Sequence, residues 1–189
     1  MKRVPFLVLI AAIGLGAWAL PGAQVDSETQ GGVMPAKQRF VPCLWFREEA
    51  GAAVEYYCSI FPDAKVLQEM RMGPGGPLIS ARFQIAGQEF IALNGNRGPS
   101  FTDASSLLVH CGDQKEVDDL WAKLTADGGE PGQCGWLKDK YGVSWQIIPT
   151  ALLDMISDKD PAKAKRAIDA MLPMRKIDIA VVRKAYEGR

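Results

Sequence analysis

The chain has 189 residues, of which 48% are hydrophobic and 23% charged, which suits one globular domain with appendages. Lys and Arg together number 22, as do Asp and Glu, so the formal net charge is zero. This balance, without a basic stripe, argues against nucleic acid and against an anionic membrane surface as partners.

The N-terminal residues 1–23 have the pattern of a secretory signal peptide. A basic start at Lys2-Arg3 precedes an apolar stretch, and Ala17-Trp18-Ala19 matches the small-residue pattern before a cleavage site. The stretch is shorter than the roughly 20 apolar residues that span a bilayer. We therefore expect a periplasmic or secreted protein, with an uncleaved membrane anchor as the alternative. Residues 24–37, rich in Gly, Gln and small polar side chains, are predicted to form a disordered tether.

The next part of the chain, residues 38–95, predicts a strand, a helix and three more strands. The first strand covers Phe40–Phe46, and apolar residues at helical spacing predict a helix from Ala50 to Phe61, which Pro62-Asp63 ends. Gly87-Gln88 is the predicted turn of the last hairpin. The three strands are predicted at residues 65–72, 78–86 and 89–93.

The same order restarts after a Gly/Pro-rich segment. A strand at Ser105–Cys111 precedes a helix that begins with Asp113 and Glu116 as a capping box. Further strands are predicted at residues 135–138 and 143–148, with a less clear one near residues 130–133. The repeat predicts an α+β fold of two βαβββ modules, about residues 38–95 and 104–150, forming a curved mixed sheet around a cleft. Residues 151–189 are predicted to be a helical C-terminal extension.

The chain has four cysteines. In an oxidising compartment they could form disulfides, and three complete pairings remain open. Since none has CxxC spacing and the chain has a single histidine, the sequence does not support a structural zinc site. Alternatively, the thiols are small apolar core residues. The four are Cys43, Cys58, Cys111 and Cys134.

Several motifs together form a specific pattern, above all the segment Gln133–Gln146, with Phe40–Phe46, Ala53–Tyr57 and Ile60–Asp63. They resemble PhnB-like (demethylubiquinone methyltransferase-like) proteins, a branch of the vicinal-oxygen-chelate (VOC) superfamily of glyoxalases, bleomycin-resistance proteins and dioxygenases. The resemblance covers about residues 38–186. It implies paired βαβββ modules around a cleft, a homodimer and, in catalytic members, a divalent metal held by four side chains.

The resemblance places the four metal-ligand positions at Val41, Ala92, Ser106 and Gln146. Only Gln146 is a ligand of the family type, because Val and Ala have no donor atom and Ser is a poor one. If the register were shifted, the nearest donors would be Cys43, Glu89 and His110. We therefore expect no complete catalytic metal site and no firmly assigned cofactor.

Six residues are candidates for a ligand-binding cleft. His110 could be an acid/base or a ligand contact, or a strand-end histidine that donates to a backbone carbonyl. Trp45, Trp136 and also Trp145 could line an apolar pocket or pack in the core. Glu48-Glu49 and Lys138–Lys140 are expected to be solvated turns. The six candidates are Cys43, Trp45, Ser106, His110, Trp136 and Gln146.

The sequence does not support a methyltransferase. A nucleotide-type cofactor requires a Gly-rich loop between a parallel strand and a helix, whereas Gly73–Pro77 lies between two predicted strands. The first hypothesis is a domain that binds a small molecule without a complete metal site. The alternatives are a metal-dependent lyase, isomerase or dioxygenase with atypical ligands, and a structural or interaction module.

Overall fold

The computed structural model describes residues 38–95 and 100–189. The predicted signal peptide and tether lie outside the described residues. Within those two ranges, no helix is long and apolar enough to cross a bilayer.

Two consecutive modules each run in the order strand, helix, three strands, which confirms the predicted α+β fold of paired βαβββ units. Module one contains β1 (Cys43–Phe46), α1 (Ala50–Ile60), β2 (Lys65–Arg71), β3 (Leu78–Ile85) and β4 (Gln88–Asn94). Module two contains β5 (Leu107–Cys111), α2 (Gln114–Leu124), β6 (Glu130–Pro131), β7 (Trp136–Lys138) and β8 (Ser144–Pro149). The C-terminal helices are α3 (Thr150–Ile156), α4 (Pro161–Met171) and α5 (Ile179–Tyr186).

Each module forms its own four-stranded mixed sheet. Sheet A has the order β1-β4-β3-β2 and sheet B the order β5-β8-β7-β6. In both sheets the first strand lies at an edge and pairs in parallel with the last strand, while the other pairs are antiparallel. The parallel pair of sheet A ends with Phe46 opposite Asn94, and that of sheet B ends with Cys111 opposite Pro149. We therefore match Phe46 to Cys111 and Asn94 to Pro149, and count the other corresponding residues back from these ends.

Alternation of side chains gives each sheet a buried face and an open face. Helix α1 buries Ala53, Val54 and Tyr57 against sheet A, whose inward residues include Phe83 and Phe90. Helix α2 packs its apolar stripe against sheet B in the same way. The opposite face of each sheet, which no helix of its own module covers, is called the open face below.

The turn between β7 and β8 ties the two modules together through a buried carboxylate. Asp139 is only 2% exposed. Its Oδ2 accepts hydrogen bonds from the Tyr57 hydroxyl and the Trp145 indole N–H, both at 2.9 Å. Its Oδ1 accepts from the backbone N–H groups of Tyr141 and Val143 at 2.9 and 3.0 Å. The expectation of a solvated turn is therefore wrong for Asp139, because donors from both modules surround its carboxylate.

Aromatic side chains continue this connection into one shared core. Trp145 of β8 stacks on Phe61, at the end of α1, with ring centroids 5.5 Å apart. Tyr57 stacks on Phe83 at 6.0 Å and meets Trp145 edge-on at 5.5 Å. Trp145 is thus a core residue, the second of its two predicted roles.

The helix ends and the last hairpin of module one differ in detail from the predictions. Asp113 caps α2 by accepting from the Glu116 N–H at 2.8 Å, but the Glu116 carboxylate accepts from the N–H of Gly112, one residue earlier than in a capping box. The β3–β4 turn consists of Ala86-Gly87, one residue before the predicted pair. Both have positive φ, 48° and 79°, as the tight hairpin turn requires.

The C-terminal helices pack on module two. They share an apolar cluster that includes Ile148 of β8, Leu152 and Val182. The Gln114 side chain of α2 holds the segment before α5, donating to the Ile177 carbonyl at 3.1 Å and accepting from the Ile179 N–H at 2.8 Å. This packing covers one end of sheet B's open face, where Ile148 is 6% exposed.

Candidate functional site

The open face of sheet A carries two of the six candidate residues, Cys43 and Trp45 of β1. Cys43 lies beside Ile91 of β4, which lies beside Arg82 of β3. The next row across β1, β4, β3 and β2 is largely apolar and solvent-accessible at both ends, with Trp45 43% and Met70 44% exposed. That row consists of Trp45, Leu93, Ser80 and Met70.

The open face of sheet B carries the other four candidates. Gln146 of β8 lies between Leu108 of β5 and Trp136 of β7. Its Nε2 donates a 2.8 Å hydrogen bond to the Ser106 hydroxyl. His110 lies two residues beyond Leu108 on the same strand. Ser106, Trp136 and Gln146 thus form one neighbourhood, with His110 at its end.

The side chain of His110 is exposed, and both of its predicted roles stay predictions. Cys43 and Ser106 belong to different sheets, yet both line one cavity of about 240 Å³ near the start of β1 and β5. The candidates are therefore divided between two open faces that meet at this small cavity.

The module repeat corrects one of the four metal-ligand positions. In the matched edge pairs Gln146 corresponds to Ile91, since each lies three residues before the end of the parallel pair. Ala92 is fully buried and faces the core, so its assignment to the open face is wrong by one residue. The corrected position is Ile91, whose side chain also has no donor atom.

The residues at these positions do not fit a divalent metal. The side chains of Val41 and Ile91 are hydrocarbons without a donor atom. Ser106 is a weak metal ligand, and the Gln146 amide already donates a hydrogen bond to it. The residues that a shifted register would supply are also dispersed, since Glu89 lies near Arg82 on sheet A and His110 lies on sheet B. Among the described residues, no group of three His, Cys, Asp or Glu side chains could hold a metal ion.

The thiols are not arranged for nucleophilic chemistry. All four cysteines are free, and Cys43 is the exposed one. Although the residue is exposed, partial desolvation of its thiol raises the pKa of Cys43. Burial, with the nearby Glu116 and Asp113 carboxylates, raises the pKa of Cys111 to about 12. Both thiols therefore favour the protonated, weakly nucleophilic form at neutral pH.

A larger concavity, which the sequence reasoning missed, lies between the modules. It has a volume of about 860 Å³ and is bounded by β5 and α2 on one side and by the end of α1 and the β3–β4 hairpin on the other. We call it the module groove. Phe61, Phe90 and Leu108 are among the residues that line it, as are two of the six candidates, Ser106 and His110. These residues are far apart in sequence, so no local motif could have indicated it.

Comparison with protein families matches residues 38–148 to the family described as 3-demethylubiquinone-9 3-methyltransferase. The chain is similar to a PhnB protein from Bacillus cereus whose name carries the same description, with 32% identity over 59% of this chain and 99% of that one and a TM-score of 0.53. Protein PA1353 from Pseudomonas aeruginosa shares the fold, with 16% identity over 60% and 98% of the two chains and a TM-score of 0.52. No curated protein matches.

Proposed function

Because the chain belongs to the 3-demethylubiquinone-9 3-methyltransferase family, the PhnB-like branch of the VOC superfamily, we propose that it binds a small molecule on the open face of sheet B without a complete catalytic metal site. The observation that carries this proposal is the pairing of Gln146 with Ser106 at a family ligand position, while the corresponding residue of module one is Ile91. The methyltransferase in the family's description is not part of the proposal, because the Gly73–Pro77 loop joins two antiparallel strands.

The chemistry of this face favours an uncharged ligand with carbonyl or hydroxyl groups. Gln146 uses one N–H on Ser106, so its second N–H, its carbonyl oxygen and the Ser106 hydroxyl hydrogen are suited to a ligand. Leu108 and Trp136 flank the pair and would contact the apolar part of the ligand. The nearby Lys138 is already paired with Asp103 at 3.4 Å.

Metal analysis combined with ligand binding tests this proposal. We expect less than about 0.1 equivalent of any divalent metal per chain after purification without chelator, because two of four positions are hydrocarbons. Small uncharged carbonyl compounds should quench Trp136 fluorescence in a saturable way, and Gln146→Ala should weaken this binding by about tenfold. Stoichiometric, chelator-sensitive metal that Gln146→Ala removes would instead favour the metal-dependent enzyme.

The open face of sheet A also supports a homodimer. Trp45 and Met70 are each more than two-fifths exposed on this face, and a second copy would remove this apolar surface from water. Light scattering should give the mass of a dimer. Trp45→Glu should yield monomers, while Leu172→Glu, at an exposed position of the C-terminal extension, should not.

We further propose that the protein is exported and loses its first 23 residues or so. Support comes only from the basic start, the apolar stretch and the small residues at Ala17–Ala19. Intact mass of the protein recovered outside the cytoplasm should correspond to cleavage between Ala19 and Gln24. Recovery of the full-length chain in the membrane fraction would favour the uncleaved anchor.

A further inference from the structure

We propose that the module groove is a second binding site, which takes an uncharged, apolar small molecule. The groove follows the edge strand β5, with α2, the end of α1 and the β3–β4 hairpin as its other borders, whereas Gln146 lies inside sheet B between β5 and β7. Both modules contribute to its walls, so an occupant would contact the two halves of the chain at once. Ser106 and Leu108 line the groove and also adjoin Gln146, so the two sites are neighbours, although Gln146 itself does not line the groove.

The size and the floor of the groove suit a small apolar ligand. Its volume of about 860 Å³ lies within the roughly 300–1,000 Å³ of ligand pockets. The floor contains the stacked pair Phe61 and Trp145, one ring from each module, and Phe90, which stacks on Phe83 at 5.3 Å. These three floor rings are 2–7% exposed, so they form a rigid, apolar base beneath the more exposed residues of β5.

One position in the wall formed by β5 exposes more apolar surface than its counterpart in module one. Val109 is only partly buried, whereas the corresponding Leu44 of β1 is 9% exposed. Leu107 is also partly buried and lines the groove, and Leu108 at its edge is 45% exposed. A ligand in the groove would remove this surface from water, which favours binding by about 25 cal/mol for each Å² buried.

The charges around the groove oppose an anionic ligand. The lysines that line the groove are Lys115, which pairs with Asp119 at 2.5 Å, and Lys123, and His110 is its one histidine. Four acidic side chains face the same space, so the rim carries more negative than positive charge. Coulombic repulsion from this excess disfavours carboxylates, phosphates and sulfonates. The acidic residues are Asp63, Asp113, Glu116 and Asp119.

A pair of fluorescent probes that differ in one sulfonate group tests both parts of the proposal. Neutral N-phenyl-naphthylamine should bind to the full chain with saturation at one site, and anilinonaphthalene sulfonate should bind at least about tenfold more weakly. Asp63→Lys, at an exposed position of the rim, should reduce this difference. Equal affinity of the two probes, or binding of the neutral probe that never saturates, would overturn the proposal.

Three variants locate the probe. Val109→Trp places a large ring in the groove and should weaken binding of the neutral probe by about tenfold or more. Leu172→Trp adds the same ring on the C-terminal extension and should leave binding unchanged, as should Gln146→Ala on the open face. Each variant is first checked for an unchanged melting transition, and Lys115→Trp at the exposed rim replaces Val109→Trp if the latter unfolds. Loss of binding in Gln146→Ala with retention in the groove variant would overturn the assignment.

Discussion

Modules one and two have the same strand order and the same pairing, yet they distribute their apolar residues differently. The first strand of module one buries Leu44, whereas the corresponding Val109 of β5 is only partly buried; Phe46 and its counterpart Cys111 are both buried. Module one also has the longer hairpin, since β2 and β3 have seven and eight residues and β6 and β7 only two and three. The repeat therefore preserves the backbone, while exposed apolar side chains such as Trp45 and Met70 lie on sheet A and the polar Gln146–Ser106 pair lies in module two.

The largest expected effect comes from breaking the link between the modules. Asp139→Ala should lower the free energy of unfolding by about 4 kcal/mol, because it leaves the Tyr57 hydroxyl, the Trp145 indole and two backbone N–H groups without their buried acceptor. Urea unfolding measures this loss. Lys140→Ala, at the exposed next position of the same turn, is the matched control and should cost less than about 1 kcal/mol.

The same carboxylate should make stability depend on pH. Burial raises the pKa of Asp139 above its ordinary 3.8, although four hydrogen bonds act in the opposite direction. The native state therefore keeps this proton to a higher pH than the unfolded chain does, so its contribution to stability falls as pH rises above 3.8. The stability difference between the wild type and Asp139→Asn should be largest at acidic pH and shrink towards neutrality; a difference that grows with pH would contradict the raised pKa.

A smaller effect should separate the two edge strands. Leu44→Ala should cost about 3 kcal/mol, because its side chain is buried in a packed core. Val109→Ala, at the corresponding position of β5, should cost about 1 kcal/mol, because the side chain is only partly buried. Equal losses for the two variants would show that the modules bury their first strands to the same degree.

The smallest expected effect concerns the C-terminal extension, which packs on module two. Gln114→Ala removes the side-chain bonds to Ile177 and Ile179 and should cost about 1–2 kcal/mol. Amide exchange should accelerate in residues 174–186 and stay unchanged in module one. Lys115→Ala, one residue along the same helix and highly exposed, should leave both regions unaffected. Acceleration throughout the chain would mean that the extension is part of the global core.

Most of the fold could be predicted because local patterns and the module repeat agree. Apolar residues at helical spacing defined α1 and α2, and alternation defined β3. The short β6 was the least clear, since a two-residue strand depends on pairing with β7 rather than on its own composition. The start of α1 at Ala50 was predicted correctly, but the bond of its first N–H to the side chain of Asn94, 44 residues away, was not.

The candidate site could be predicted only in part. The resemblance identified Gln146 and Ser106, which the structure brings into contact. It placed the ligand position of β4 at Ala92 instead of Ile91. This difference of one residue matters because neighbouring residues of a strand face opposite sides of the sheet. The burial of Asp139 and the module groove depend on contacts between the modules, and no single segment contains that information.

The shared core has a consequence for the half-molecules. A fragment containing only module one would expose the Tyr57 hydroxyl and the face of Phe61 that Trp145 covers, and a fragment of module two would leave Asp139 without one of its donors. Neither fragment should fold alone. Together, however, the fragments 38–95 and 104–189 contain every hydrogen bond described for Asp139. When they are mixed, we therefore expect them to assemble as complementing fragments. The segment between them is then a suitable position at which to split the protein.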